Sequence, residues 1–315
     1  MKPGPARVGI FARVNDPIAQ ALKASIEARA AQARIFELAT LALGAPVAFD
    51  NEEWLVDGDA LSEFDAFFVR QIPAETSWLG SPGETATSET WWQRAQLSRE
   101  RAHLAQSCVA HLELLGKRVL NPSASLPFDQ KAYQLAALHR AGLPLPRTLV
   151  TNFPDAVRAF EADVGPLIFK PLGGGAETQV FDDAARERLT APLPSPVIFQ
   201  ERVSGPDIRV TVVAGRIVSS VEIPTSHIDY RLGQDYRAGK QEYLPHALSN
   251  EGAAMALLAA STCQQVLSGV DLKLSKEGYV VIEANSGPVY LDIERKTGAP
   301  ITDALVDALG VRSHR

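Results

Sequence analysis

Asp271, Glu283 and Asn285 are the residues whose types and spacing first suggest chemistry. They lie in GVDLKLSKEGYVVIEANSGPVYLDIERKTG, from Gly269 to Gly298, with Asp271 on one short apolar run, Glu283 and Asn285 on the next and the turn SKEG between them. Alternation along a strand sends residues two apart to one face, so Glu283 and Asn285 project together. Two carboxylates and an amide oxygen make a hard, all-oxygen site that suits Mg²⁺ better than zinc or copper. Mg²⁺ held by few protein ligands completes its shell with substrate phosphates, which points to a nucleoside-triphosphate enzyme. Taken singly, each of the three reads more simply as a polar hairpin residue facing water, so the upstream sequence must decide.

Upstream, Lys170 ends the apolar strand IFK and so points its ammonium into whatever cleft that sheet lines. Gly173, Gly174 and Gly175 follow at once. A glycine turn between strands lets backbone N–H groups approach phosphates without side-chain obstruction. It is not a P-loop, which needs a Lys-Ser/Thr pair opening a helix, and alone it reads as a plain turn. Lys131, near a helix start, reads alone as a solvated charge. Gln200, Glu201, Arg202 and Val203 have the form of a strand-to-loop hinge whose backbone can bind an adenine edge, and Asp207 can accept from ribose hydroxyls. His227, beside Asp229, reads as a loop residue rather than a base.

The elements that must position these residues follow from periodicity. The chain has 315 residues, 46% hydrophobic and 22% charged, with room for two or three domains. Near the N-terminus VGIFA, ARIFEL and FDAFFV read as strands, and IAQALKASIEARAAQ carries Ile18, Leu22 and Ile26 at helical spacing. Strand, helix and strand in that order predict a small parallel α/β unit, without a dinucleotide fingerprint. SWLGSPGETATSET reads as a surface loop, and a helix from about Trp91 to Leu115 precedes the strand RVLNP. DQKAYQLAALHRAG reads as a helix with Asp129 as N-cap and Gly142 at its end. The strands PRTLVTN, PLIFK and VIFQERV, the helix DAVRAFEA and the hairpin IRVTVVAGRIVSSVEI, turning at Ala214 and Gly215, come next. A charged loop, HIDYRLGQDYRAGKQEY, leads to the helix EGAAMALLAASTCQQVLSG, the metal-site hairpin and the terminal helix ITDALVDALG.

Bulk properties exclude some functions. A net charge of −6 leaves no basic excess to neutralise nucleic-acid phosphates. No apolar run is long enough to span a membrane and no signal-peptide core is evident, so neither nucleic acid nor membrane is expected as a partner. Cys108 and Cys263 are far apart in helical segments and read as buried structural thiols, which makes a reducing cytoplasm the expected location.

The ordered set Lys131, Lys170, the glycine triplet, Glu201, Asp207, Arg209, Arg231, Asp271, Glu283 and Asn285 resembles the ATP-grasp carboxylate–amine ligases. GPDIRVTVVAGRIV, HIDYR and the GVDL, VIEANSGP and IERKTG segments resemble the RimK-like branch. NP with DQKAYQLAALHRAGLPLPRTLVTNFPDAVRAF is similar to the graspetide ligases that cyclise microviridin-type peptides. The resemblance covers about Asn121 to Asp307. It implies an α/β (α+β) ATP-grasp fold: a pre-ATP-grasp domain over 1–120, then two α+β subdomains clasping ATP, over 121–195 and 196–315. It further implies two Mg²⁺ ions, with Mn²⁺ as a substitute, held by Asp271, Glu283 and Asn285. Lys131 and Lys170 would contact phosphates or adenine, with the glycine turn as a lid. Two departures bear on the acceptor rather than on ATP. Arg231-Leu232-Gly233 stands where the pattern has Arg-Ser-Asn, and Ser286-Gly287-Pro288 where it has Ser-Pro-Gly.

What the resemblance implies chemically follows from the carboxylate, a poor leaving group until it is activated. Relatives transfer the γ-phosphoryl of ATP to it, giving an acyl phosphate that an amine or hydroxyl attacks with release of ADP and phosphate. Such a transfer needs positioning and charge neutralisation. Arg209 and Arg231 are candidates to stabilise the acyl phosphate and its tetrahedral successor, with a sheet-edge ion pair the equal alternative for Arg209. The acceptor is a peptide, a protein or an amino acid, and a homo-oligomer is open. An inactive ATP-grasp binding module is the reading from another class, which the intact Asp271, Glu283 and Asn285 set disfavours. Trp91 and Trp92 read either as a docking surface for a leader peptide or as packed interface aromatics.

Overall fold

The structure is a computed structural model that describes residues 5–37, 46–70, 91–173 and 177–312. The tract SWLGSPGETATSET lies outside the described residues, as do Gly174 and Gly175. The chain divides into two compact units, Met1–Ala124 with Thr302–Arg315, and Ser125–Ile301.

In the first unit, β1 (Arg7–Phe11), α1 (Pro17–Ala28) and β2 (Gln32–Phe36) follow one another. Asp16 caps α1 by accepting from the Ile18 and Ala19 N–H groups, and Pro17, which has no N–H to lose, takes the first helical position. Ile18, Leu22 and Ile26 bury together, as their spacing predicts. An antiparallel meander of β3 (Val47–Phe49), β4 (Trp54–Val56) and β5 (Asp59–Ala60) precedes β6 (Ala66–Val69), α2 (Trp91–Leu114) and β7 (Arg118–Leu120). Strands β2, β1, β6 and β7 form a parallel sheet in that order. The terminal helix, Ile301–Ala308, is fastened here: Arg29 reaches Asp303 at 2.9 Å and Asp307 at 2.5 Å. The Trp92 ring on α2 is exposed.

A 3-10 turn, Ser123–Asp129, leads from the first unit into the second, where α3 (Lys131–Arg140) follows. Asp129 is not the N-cap. That place belongs to Gln130, which makes no side-chain capping bond, while the Asp129 carboxylate accepts from Ser286 Oγ at 2.7 Å. Gly142 does end the helix: at φ +81 its N–H reaches His139 O, and Leu143 N–H reaches Leu138 O. β8 (Thr148–Thr151), α4 (Pro154–Val164), β9 (Leu167–Pro171), β10 (Gln179–Val180), α5 (Asp183–Arg188) and β11 (Val197–Glu201) follow. Their antiparallel sheet, ordered β10-β9-β11-β8, packs Leu167 and Phe199 on Val157 of α4 and Ala185 of α5.

A second antiparallel sheet carries the candidate chemistry. It comprises β12 (Asp207–Val213) and β13 (Arg216–Ile223), then, after α6 (Gln234–Arg237), β14 (Leu244–Pro245), and after α7 (Asn250–Thr262), β15 (Leu267–Ser275) and β16 (Gly278–Asn285). Helix α8 (Leu291–Thr297) follows, and the strand order is β14-β13-β12-β15-β16. Ala214 and Gly215, at φ 48 and 72, make the tight turn expected between β12 and β13. The segment HIDYRLGQDYRAGKQEY is more ordered than a loop, since it holds a 3-10 turn at Tyr230–Leu232 capped by Asp229, and then α6. Helix α7 is shorter than its apolar pattern: Gln264 turns the chain at φ 55, and Leu267 already begins β15.

Alternation divides this sheet into two faces. Ile208, Val210, Val212, Val270, Leu272 and Val281 bury against Leu138 of α3, Ala256, Ala259 and Ala260 of α7 and Cys263, which caps α7. Asp207, Arg209, Asp271 and Lys273, the alternate residues, line the opposite side. Among the described residues no helix is long and apolar enough to cross a membrane.

Both cysteines are buried free thiols, and burial pushes each up to about 12. A disulfide reagent at pH 8 should therefore find no reactive thiol in the folded protein and two after denaturation. Rapid labelling of either one in the native state would contradict this burial.

Candidate active site

The two sheets of the second unit line one cleft. Lys131, Lys170, Gln200, Glu201, Arg202, Val203, Asp207, Arg209, Arg231, Asp271, Glu283 and Asn285 all face it. The sequence thus named residues from α3, β9, β11, β12, β15, β16 and the segment before α6 that the fold brings together. Gly173 is exposed and does not line the cleft.

Cross-strand register explains the centre of the site. Arg209 pairs with Asp271 between β12 and β15, and Asp271 with Glu283 between β15 and β16. A register shift next to Asp271 sets Leu272 opposite Val281, so Ile282 is an extra residue, and this bulge turns Glu283 onto the cleft face. Arg209 grips Asp271 with two bonds, Nε to Oδ1 at 2.5 Å and Nη2 to Oδ2 at 3.0 Å. β12 is a central strand and Arg209 is only 7% exposed, so the sheet-edge ion pair is ruled out: this is an interior pair. Asn285 Nδ2 donates to Asp271 Oδ2 at 3.0 Å, and Lys131 Nζ reaches Glu283 Oε2 at 2.7 Å.

Electrostatics follow from this crowding. Burial opposes ionisation of Glu283, yet Lys131 and Lys170 hold its carboxyl down to about 2. Burial raises the Asp271 carboxyl, Arg209 opposes that, and neighbouring Glu283 adds to it. Burial also lowers the Lys170 ammonium, with Glu283 and Asp271 pulling the other way. Lys273 neutralises Asp207 at 2.8 Å. Asp229 is a hub: one oxygen accepts from Arg231 N and Nε, the other from Arg231 Nη2 at 2.6 Å and Thr178 N at 3.5 Å. Asp229 therefore serves Arg231, and His227 is an exposed loop residue.

Tyr230 carries no sequence signal strong enough to find it, and Thr148, which holds the named Gln200, carries none at all. Tyr230 places its hydroxyl 3.4 Å from Arg209 Nη2 and packs edge-on against Tyr236. Its adjacency to Arg231 in HIDYR is the one available hint. Gln200 donates from Nε2 to Thr148 Oγ1 at 2.9 Å, and that hydroxyl donates onward to Pro146 O at 2.9 Å. The orientation leaves Gln200 Oε1 as a buried acceptor with no partner.

Comparison with known proteins now decides the family. Residues 128–309 match the RimK-like ATP-grasp domain, which is more than half of the chain. The chain belongs to the RimK-like ATP-grasp family. A probable alpha-L-glutamate ligase of Vibrio atlanticus (strain LGP32) is 27% identical to it over 298 residues, covering 91% of this chain and 89% of the relative. The ATP-grasp ligase PsnB, solved with a phosphomimetic variant of its minimal precursor, Mg and ADP, superposes with a TM-score of 0.83 at 28% identity, covering 97% of each chain. The macrocyclase MdnC of Microcystis aeruginosa MRC, solved with its precursor peptide MdnA, shares the fold at 20% identity and TM-score 0.79, over 96% of this chain and 99% of that one. This RimK-like protein is an ATP-grasp ligase, and Mg and ADP are what its structural neighbour PsnB was solved with.

The donor set fits that cation. Among the described residues no three His, Cys, Asp or Glu side chains form a metal cluster; Asp271, Glu283 and Asn285 present two carboxylates and one amide to the cleft. A divalent ion held by so few protein ligands needs phosphate oxygens beside them.

Breaking the Arg209–Asp271 pair should destabilise the second unit. Arg209→Met leaves Asp271 next to Glu283 without its guanidinium, at a cost of about 3 kcal/mol near neutral pH. Adding Asp271→Asn should recover part of that loss. Urea titration of both variants checks it, and a single variant as stable as wild type would show that the pair is not a stabilising contact.

Proposed function

We propose that Asp271, Glu283 and Asn285 hold Mg²⁺ against the ATP phosphates, and that Lys131 and Lys170 neutralise the same phosphates. The observation that carries this reading is the convergence of two carboxylates, one amide and two ammonium groups in one cleft. The bound metal supplies charge neutralisation at the transferring phosphoryl group. The hinge Gln200–Val203 takes the adenine, with Asp207 near the ribose. The Thr148–Gln200 relay deepens this: Gln200 Oε1 can accept from the amino group of adenine but meets a carbonyl on guanine.

The activated group is a carboxylate of a peptide, and an amine or hydroxyl attacks its acyl phosphate. PsnB, solved with peptide precursor, Mg and ADP, matches this chain over nearly its whole length and supports the peptide reading. Relatives named for glutamate ligation support the alternative in which a free amino acid is added. Mass spectrometry after incubation with ATP, Mg²⁺ and candidate peptides separates the two. Loss of one water per linkage means cyclisation, and gain of a glutamyl residue means ligation. ADP release with amino acids alone and none with any peptide would overturn the peptide reading. The cytoplasm, where ATP and Mg²⁺ are available, is the proposed location.

Two substitutions test the roles. Glu283→Ala should abolish ADP formation while circular dichroism stays native, because it removes a charged ligand from a solvent-reached cleft. Near-normal ADP formation would sink the metal assignment. Arg231→Ala should lower kcat roughly a hundredfold with little change in ATP affinity, since the charge it meets develops only after phosphoryl transfer. Arg231→Lys should restore little, because an ammonium cannot reproduce the guanidinium fork. Normal turnover of Arg231→Ala would reduce Arg231 to a partner of Asp229.

A further inference from the structure

We propose that Gln134 is a positioning residue that sets the affinity of the divalent-cation site by holding the backbone of Ala284. The proposal rests on the assignment of Glu283 and Asn285 as metal ligands, because Ala284 is the residue between them. Gln134 is 5% exposed on α3. Its Oε1 accepts from Ala284 N at 3.0 Å, and its Nε2 donates to Ala284 O at 2.7 Å and to Phe128 O at 2.8 Å. Every strong valence of one buried carboxamide is thus spent on the backbone, and most of it on a single residue. Gln265 donates to the same Ala284 O at 3.1 Å and is itself fixed by Ser268 Oγ at 2.5 Å.

Ala284 needs such a hold for a structural reason. β16 is the end strand of its sheet, so its outer edge has no neighbouring strand among the described residues. The bulge that turns Glu283 onto the cleft face lies immediately before it. Bulges interrupt the ladder and increase local twist, so the direction in which Glu283 and Asn285 project is set by whatever pins the backbone just beyond. Gln134 acts there as a surrogate strand partner. It also fixes spacing on the facing side. Lys131 precedes it by one helical turn on the same face of α3 and reaches Glu283 Oε2 at 2.7 Å. One amide therefore holds the two ligands and the phosphate-facing ammonium in mutual register. Groups that orient metal ligands from behind typically alter metal affinity 10–100-fold when removed.

The test uses the full chain with Mn²⁺ as paramagnetic probe, in the presence of ADP, reading free Mn²⁺ by electron paramagnetic resonance. Gln134→Met keeps volume and removes all three bonds. Its Mn²⁺ Kd should rise roughly tenfold, and its loss of turnover at limiting Mg²⁺ should be repaired by excess Mg²⁺, which a general loosening of the fold would not allow. Gln134→Glu can still accept from Ala284 N but cannot donate to its carbonyl. It should also bind Mn²⁺ more weakly although it adds a negative charge, and it keeps the test open if the methionine variant does not fold. A folded variant of either kind with wild-type Kd overturns the proposal. If Glu283→Ala also binds Mn²⁺ like wild type, the cation is held elsewhere, and the metal assignment fails instead.

Discussion

Two carboxylates, Asp271 and Glu283, face each other across neighbouring strands in one cleft, and like charges so placed repel. The surrounding arrangement answers that repulsion. Each carboxylate has its own cation, delivered by a different element: Arg209 from the adjacent central strand and Lys131 from α3. The guanidinium can use both oxygens of Asp271 because register sets the two residues opposite each other, a fit that a flexible ammonium would not give. Lys131 instead approaches Glu283 end-on. The site therefore ties α3, β12, β15 and β16 together by charge as well as by packing, and a change to any of these partners is felt in both stability and chemistry.

The same strands serve core and cleft, which explains why the cleft can carry so much charge. Ile208, Val210, Val270 and Leu272 bury on one face against α3 and α7, while Asp207, Arg209, Asp271 and Lys273 alternate with them on the other. A buried valine costs nothing in polar satisfaction, so the apolar face supplies the rigidity with which the charged face is held. Arg209 shows the consequence: it is as buried as a core residue, yet its guanidinium is fully directed at Asp271 and Tyr230.

How much of this was legible in the sequence follows from which signals are local. Period-two alternation and the SKEG turn are short-range, so the hairpin and the common direction of Glu283 and Asn285 could be read directly. The Ala214–Gly215 turn and the Gly142 helix end were legible for the same reason. Asp129 was misread because a helix N-cap and a long-range acceptor look alike in sequence: Ser286, 157 positions away, claims the carboxylate. Arg209 was open between a catalytic role and a sheet-edge ion pair, and strand order, which is not a local property, shows only that the pair it makes is interior. The extent of α7 was overread because Val266 and Leu267 continue its apolar composition while the backbone has already left the helix. Gln134 was invisible, since a single glutamine on a helix gives no sign that it reads another residue's backbone.

Asp229 connects the parts of the cleft that periodicity treats separately. It holds Arg231 through both oxygens and also accepts from the Thr178 backbone, just beyond the glycine turn. A second tie, Arg237 to Glu177 at 3.3 Å, runs between the same two segments. Asp229 is nearly buried, whereas Arg231 remains half exposed, so the fixed partner is the carboxylate and the adjustable one the guanidinium. A carboxylate saturated in this way is a poor base, which leaves it the role of aiming Arg231 rather than taking a proton. The same carboxylate that holds Arg231 thus also meets the backbone of Thr178, ahead of β10. The two segments are tied to each other at HIDYR, next to the Leu232–Gly233 departure from the family pattern.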